Sequence, residues 1–289
     1  MKTLIRADSS STIGLGHIMR DLVLAKSFEG EVIFACQNLE GNIIASIPYD
    51  VKILNSNDTD ELIALIKALH VNLLVIDHYG IDAPFERKVK EATGVKILSF
   101  DDTYQTHHCD ILLNHNISAD KKRYKGLVPP RCELRCGILY TLIRDEFKDE
   151  KKQTREKIYD VFIAMGGTDA SNITLDILKI LPKSLHVSVL TTSANAHLSE
   201  LQNYVKDKPN IALHVNSNEV AKLLHQSRLA IVTPSVMVHE VLFMEMPFIA
   251  VKVASNQDDM FAYLQAQGYT VLEAFNDTLL KNEIQRLFQ

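Results

Sequence analysis

The stretch TLIRADSSSTIGLGHIMRDLVLAKSF, residues 3–28, decides the fold. Its first residues are a short apolar run, Thr3-Leu4-Ile5, stopped at once by Arg6 and Asp8. This is a buried-type strand and not the apolar core of a leader peptide. Next comes a loop of small and polar residues, Asp8 to Leu15, holding Gly14 and Gly16. From His17 to Phe28 the apolar residues recur at helical spacing. Strand, glycine loop and helix in that order are the opening of a β-α-β unit.

Working outward, the same alternation continues. Residues 31–35, 73–76, 95–100 and 111–113 read as strands, and 17–28, 60–69 and 84–92 as helices. Most of these strands are continuous apolar runs without period-2 alternation, as expected when helices cover both faces of a parallel sheet. The pattern weakens over 117–133, and residues 145–157 are charged and nearly free of apolar side chains. It restarts with strands at 159–164, 186–190, 211–214, 229–232 and 248–252. Helices are expected at 171–181, 196–205, 219–225, 236–244 and 257–267. The chain is therefore expected to be α/β, with two Rossmann-like doubly wound domains facing a central cleft. Residues 1–145 form the first, 146–157 a connecting segment, 158–275 the second, and 276–289 a C-terminal helix.

At 289 residues the chain suits two α/β domains of roughly 140 residues each. It is 46% hydrophobic and 23% charged, which argues against disorder. A net charge of −5 argues against nucleic acid as a partner, so any bound anion must be met by local groups. No run approaches the roughly 18 to 20 apolar residues that span a membrane. The four cysteines, Cys36, Cys109, Cys132 and Cys136, lack metal-ligand spacing and read as reduced thiols of a cytoplasmic protein.

Three loops carry the chemistry. The first ends in Gly14-Leu-Gly16-His17 at a helix start. Met19 stands where the dinucleotide fingerprint needs glycine, and no Gly-Lys-Ser/Thr follows, so neither nucleotide motif applies. What remains is a glycine loop ending in a histidine, a residue that titrates near neutral pH and can serve as a general base. The second is Gly166-Gly167-Thr168, again between a strand and a helix, where free amides can meet phosphate oxygens. The third runs from Ser235 through Glu240, an acidic residue early in a mostly apolar helix, to Asn256. Asp58-Thr-Asp60 is formally a D-x-D sequence but reads as a helix cap. Asp101-Asp102 and Asp258-Asp259 read as loop or cap acids, and His107-His108-Cys109 lacks a further ligand spaced for zinc.

These motifs resemble the glycosyltransferase-B architecture, including the glycosyltransferase that adds N-acetylglucosamine to lipid I. They are closer still to the UDP-sugar hydrolases of pseudaminic acid biosynthesis. R-x-D-S-S-x-x-I-G-x-G-H-I-x-R-D-L-V-L-A-K (residues 6–26), I-D-H-Y-G-I (76–81) and V-K-I-L-S-F-D-D (95–102) carry the likeness. C-D-I-L-L-N (109–114), G-L-V-P (126–129), M-G-G-T-D (165–169) and K-x-x-x-N-Q (252–257) extend it. The resemblance implies hydrolysis of UDP-2,4-diacetamido-2,4,6-trideoxy-β-L-altropyranose to UDP and the free sugar, with flagellin glycosylation as a common destination. It also implies His17 as the base, with the loop glycines Gly14 and Gly16 beside it, and Tyr79 and Asn256 at the sugar. Gly166, Gly167 and Thr168 would hold phosphate, Glu240 the ribose beside Ser235, and Arg144 a phosphate. A small-molecule UDP-sugar is the expected partner, with no cofactor, metal, nucleic acid, membrane or obligate protein partner. A transferase awaiting an acceptor and a non-catalytic nucleotide-sugar binder remain as alternatives.

Overall fold

The opening apolar run becomes strand β1 (Lys2–Ala7), buried from Thr3 onward. In the computed structural model, which describes residues 1–288, helix α1 (Gly16–Ala25) follows it, then β2 (Glu31–Gln37) and β3 (Asp50–Leu54). Next come α2 (Thr59–Leu69), β4 (Leu73–Asp77), α3 (Ala83–Thr93), β5 (Lys96–Phe100), β6 (Ile111–Asn114) and β7 (Glu133–Cys136). These strands form one parallel sheet in the order β3-β2-β1-β4-β5-β6-β7. They belong to the first of two compact units, Met1–Leu142 and Ile143–Gln289.

Alternate residues of each central strand face opposite sides of the sheet. Leu4, Ile33, Leu74 and Ile97 pack with Leu62 and Ile66 of α2 and Val89 of α3. Ile5, Phe34, Val75 and Leu98 pack with Ile18 and Leu24 of α1. Two apolar faces, each roofed by helices, explain why the strands read as unbroken apolar runs. Local capping bounds the helices. The Asp58 side chain accepts from the Asp60 amide at the start of α2, so this D-x-D is the cap its position predicts. Asp82 caps α3 at the Phe85 amide, and Gly94, at φ +68°, ends it.

The second unit begins with the short α4 (Asp145–Glu150) and then repeats the plan. It runs β8 (Tyr159–Ala164), α5 (Ile173–Ile180), β9 (Val187–Thr191), α6 (Leu198–Val205), β10 (Ile211–Val215) and α7 (Val220–His225). β11 (Ser227–Val232), α8 (Val236–Phe243), β12 (Phe248–Val251), α9 (Asp258–Ala266), β13 (Val271–Leu272) and α10 (Asp277–Phe288) complete it. The parallel sheet is ordered β10-β9-β8-β11-β12-β13. Helix α10 lays Leu280 and Ile284 on the core built by β8, β9 and α5.

Both sheets therefore place their first strand beside their fourth. At that junction the loops leaving the two strands diverge and open a crevice at their carboxyl ends, where ligands of such sheets bind. In the first unit these are the loops after β1 and β4, and in the second the loops after β8 and β11. Of the strands that the apolar-run reading passes over, β3 and β7 are the two edges of the first sheet, and the two-residue β13 is an edge of the second. Asp50 and Lys52, Glu133 and Arg135 keep the edges of the first sheet hydrated, so β3 and β7 lack the apolar signature of the centre.

Candidate active site

The loop after β1 is held by its own sequence. Gly14 has φ +84°, a left-handed value that favours glycine. Ser10 brackets the turn, its hydroxyl accepting from the Ile13 amide at 2.9 Å and its backbone pairing with Gly14. Gly16 starts α1, and a side chain added there would meet nothing within 4 Å. Open space therefore surrounds the backbone next to His17.

His17 is 7% exposed. Its Nδ1 lies 2.7 Å from Oδ1 of Asp77, the residue that ends β4. Arg20, one helical turn on from His17, donates from Nε to Asp77 Oδ2 at 2.6 Å and from Nη2 to Oδ1 at 2.5 Å. Its Nη1 donates to Asp102 at 3.0 Å. Burial alone would raise the Asp77 carboxyl, but the hydrogen bonds and charge of Arg20, with His17 adding to them, hold it at about 2. Asp77 is thus an anion at neutral pH and can only accept, so the proton of the His17–Asp77 bond belongs to Nδ1. In the neutral ring the lone pair is then on Nε2. Tyr79, in the loop after β4, sets its ring edge-on to the His17 imidazole at 4.8 Å between centroids. Its hydroxyl donates to Asp102 at 3.0 Å, and the residue is 67% exposed. The structure thus brings Gly14, Gly16, His17 and Tyr79 together.

A buried network ties the loops after β1 and β4 to each other. Arg6 is 1% exposed and donates to both oxygens of Asp8, at 2.6 and 2.8 Å. Asp8 also accepts from the Gln37 amide at 2.7 Å and lies 3.2 Å from His78 Nε2. Burial opposes ionisation of Asp8, yet His78, Arg6 and the Gln37 amide hold its carboxyl far below the usual range. His78 Nδ1 in turn accepts from the Gly80 amide at 2.9 Å. Asp21, on α1, is fully enclosed, with neither carboxyl oxygen hydrogen-bonded. Burial, with the charge of Asp77 added, pushes its carboxyl well up and favours the neutral acid.

In the second unit Arg144 and Glu240 form a bidentate pair, Nε to Oε1 at 2.6 Å and Nη2 to Oε2 at 2.9 Å. Glu240 is buried in α8, and Arg144 precedes α4. Burial raises the Glu240 carboxyl, and the Arg144 charge works against that rise. Ser235 is the residue before α8, its hydroxyl 2.9 Å from that of Thr233. Gly166 has φ +92°, and at Gly167 a side chain would press on Thr192 at 3.3 Å. Thr168 and Asn256 are exposed. The amides opening α5 are engaged by the chain itself: Asp169 accepts from Ile173 at 3.0 Å and Thr174 at 3.1 Å. The resource at this loop is therefore the Gly166–Thr168 backbone, not the end of the helix.

The partners of His17 lie inside the quoted motifs but have no role assigned to them there. Asp77 shows only as a carboxylate ending a wholly apolar strand, at the carboxyl edge where ligands bind. Arg20 shows only as a cation three residues from His17 on the same helix face. Asp102 reads as a loop acid until Tyr79 and Arg20 are seen to converge on it. Among the described residues, no group of three or more His, Cys, Asp or Glu side chains could hold a metal ion. Among them no helix is long and apolar enough to cross a membrane.

No protein-family model matches the chain. Among solved structures, MurG of Acinetobacter baumannii aligns over all of this chain and 90% of its own, with TM-score 0.65 and 14% identity. Anabaena Alr3699/HepE, solved in complex with UDP and glucose, aligns over all of this chain and 90% of its own, with TM-score 0.63 and 11% identity. At such identities the likeness concerns the fold, two doubly wound units in series. A sequence relative goes further: the UDP-2,4-diacetamido-2,4,6-trideoxy-β-L-altropyranose hydrolase of Campylobacter jejuni subsp. jejuni serotype O:2 is 49% identical over 271 residues, 94% of this chain and 98% of its own length. With that identity along nearly the whole of both chains, the protein belongs to the UDP-2,4-diacetamido-2,4,6-trideoxy-β-L-altropyranose hydrolase family.

Proposed function

We propose that this chain hydrolyses UDP-2,4-diacetamido-2,4,6-trideoxy-β-L-altropyranose at the anomeric carbon–oxygen bond, with inversion, as a step of pseudaminic acid biosynthesis. The observation that carries the reading is the His17–Asp77 pair at the glycine loop. Asp77 fixes the tautomer, and Nε2 is then the base that takes a proton from water as the water oxygen attacks the anomeric carbon. The imidazolium so formed is stabilised by the ionised Asp77. Electrons of the breaking bond pass to the β-phosphate oxygen, and UDP leaves as the anion.

Tyr79 and Asn256 are assigned to the sugar, Gly14 and Gly16 to close backbone approach, and Ser235 and Glu240 to the nucleoside. Arg144 and the Gly166–Thr168 backbone neutralise charge developing on the diphosphate, which lets UDP depart without a metal ion. Arg144 meets a phosphate by exchanging part of its contact with Glu240.

Hydrolysis in ¹⁸O-water tests the scheme directly. The label is expected in the anomeric hydroxyl of the sugar and absent from UDP, and NMR of the first product should show the inverted anomer. Label in UDP would place the attack at phosphorus and remove His17 from its role. His17→Asn should bind UDP and lose roughly 10² to 10⁴ of the rate.

A further inference from the structure

Tyr79 lies in an exposed loop, yet the chain beside it is held by a closed ring of hydrogen bonds. The ring begins at the buried Arg6 on β1, which donates to both oxygens of Asp8. Asp8 Oδ2 lies 3.2 Å from His78 Nε2, and His78 Nδ1 accepts from the Gly80 amide at 2.9 Å. The Gly80 carbonyl accepts from Asn57 Nδ2 at 3.3 Å, and Asn57 Oδ1 accepts from Arg6 Nη2 at 3.2 Å. Asp8 directly follows β1, Asn57 stands between β3 and α2, and His78 and Gly80 follow β4. Three loops at the carboxyl edge of the sheet therefore close on the two backbone groups of Gly80.

Donor and acceptor roles run one way around this ring. Arg6 can only donate, so Asn57 turns Oδ1 to it and Nδ2 to Gly80. The Asp8 carboxylate, gripped by the Arg6 fork, can only accept, and the Gly80 amide can only donate. His78 therefore carries its proton on Nε2 and a lone pair on Nδ1, the reverse of His17. The packing is equally close: a Cβ at Gly80 would stand 2.8 Å from His78 Cε1, so glycine lets the imidazole lie against the chain. Tyr79 is the residue between His78 and Gly80, and its hydroxyl is held at the far end by Asp102 at 3.0 Å.

We infer that His78 is a positioning residue for Tyr79, acting with Asn57 to fix the backbone that presents the Tyr79 ring to the sugar. A side chain 67% exposed gains little orientation from packing. Fixing its backbone before substrate arrives lowers the entropy cost of binding. The inference rests on the assignment of Tyr79 to the sugar made above, and it gives a role to two residues that the motifs left without one.

A double-mutant cycle on UDP release from the diacetamido substrate tests it, with wild type, His78→Phe, Tyr79→Ala and the double variant. His78→Phe should lower kcat/KM about three- to tenfold, the usual effect of losing one neutral hydrogen bond. Inhibition by UDP alone should stay unchanged. In the Tyr79→Ala background the same substitution should change kcat/KM by less than about twofold, because the residue it positions is already gone. A merely structural role would instead lower activity by the same factor in both backgrounds, and that result overturns the inference. A parallel loss of UDP inhibition does so too. Asn57→Ala, at a partly exposed position where water can replace the side chain, goes through the same cycle and decides if His78→Phe fails to fold. An unchanged kcat/KM in Tyr79→Ala alone would sink the assignment of Tyr79 to the sugar and the clamp with it. Equal effects in both backgrounds, beside a clear Tyr79→Ala defect, would sink the clamp and leave that assignment standing.

Discussion

His17 Nδ1 lies 2.7 Å from Asp77 Oδ1, and Arg20 grips both oxygens of the same carboxylate. The imidazole is therefore oriented by an anion that cannot donate. Asp77→Asn replaces it with a group that can offer an N–H to Nδ1, which shifts the proton to Nε2 and removes the proposed base. Turnover should fall by about 10³ to 10⁴ while inhibition by UDP persists. A loss below tenfold would mean that the pair orients nothing of consequence.

Glu240 and Arg144 form a second pairing with a different expected signature. Glu240→Ala removes a group assigned to the nucleoside, a contact made equally in ground and transition states, so KM should rise more than turnover falls. Arg144→Ala leaves a buried carboxylate without its counter-charge. Because the Arg144 side chain is 30% exposed, the cost is discounted to roughly 1 to 3 kcal/mol of stability. Urea unfolding of both single variants and the double variant should give a coupling energy of that order. Strict additivity would show the pair to be incidental.

How much of this was legible in the chain follows from where each residue sits. Central strands such as β1 and β4 announce themselves because both faces are buried, and the glycine loops because Gly14 and Gly166 occupy left-handed backbone. His17 was legible for the same reason, standing at the end of such a loop. Asp77 and Arg20 were not singled out, since their role exists only once β4 lies beside β1 and brings residue 77 against residue 17. Asp169 misleads in the opposite sense. Within Met-Gly-Gly-Thr-Asp it looks like part of an anion-binding turn, yet its carboxylate takes the helix amides for itself. His107 resembled a fragment of a zinc site, and its partner turned out to be Glu86, a turn inside α3 that no spacing rule connects to it.

Asp21 supplies a test of charge near His17. Its carboxyl is enclosed, and burial and the charge of Asp77 both favour its neutral form. Asp21→Asn exchanges one neutral group for another of nearly equal size, so turnover near pH 7 should stay within about twofold. An ionised Asp21 would instead be adding negative potential at His17, and its removal would shift the acid limb of the pH–rate profile. A displaced limb in Asp21→Asn would show that the residue carries charge.

His239 predicts the acid sensitivity of the second unit. It lies in α8 beside Glu240, is 2% exposed, and burial pulls its imidazole down to about 4 from the ordinary 6.5. Between those values the unfolded chain takes up a proton that the folded chain refuses, so folding weakens as the pH falls. The contribution is fully present above pH 6.5 and is lost progressively toward pH 4, to a ceiling of about 3 kcal/mol. Other groups titrate over the same range, including His107, whose raised imidazole acts in the opposite sense. The comparison must therefore be a difference between proteins. Urea unfolding of wild type and His239→Leu at pH 7.5 and pH 4.5 isolates the term, because every other titration cancels. The variant should lose about 2 to 3 kcal/mol less than wild type over that interval. Equal losses would mean that His239 accepts its proton in the folded state, and that α8 opens at this position before the second unit unfolds.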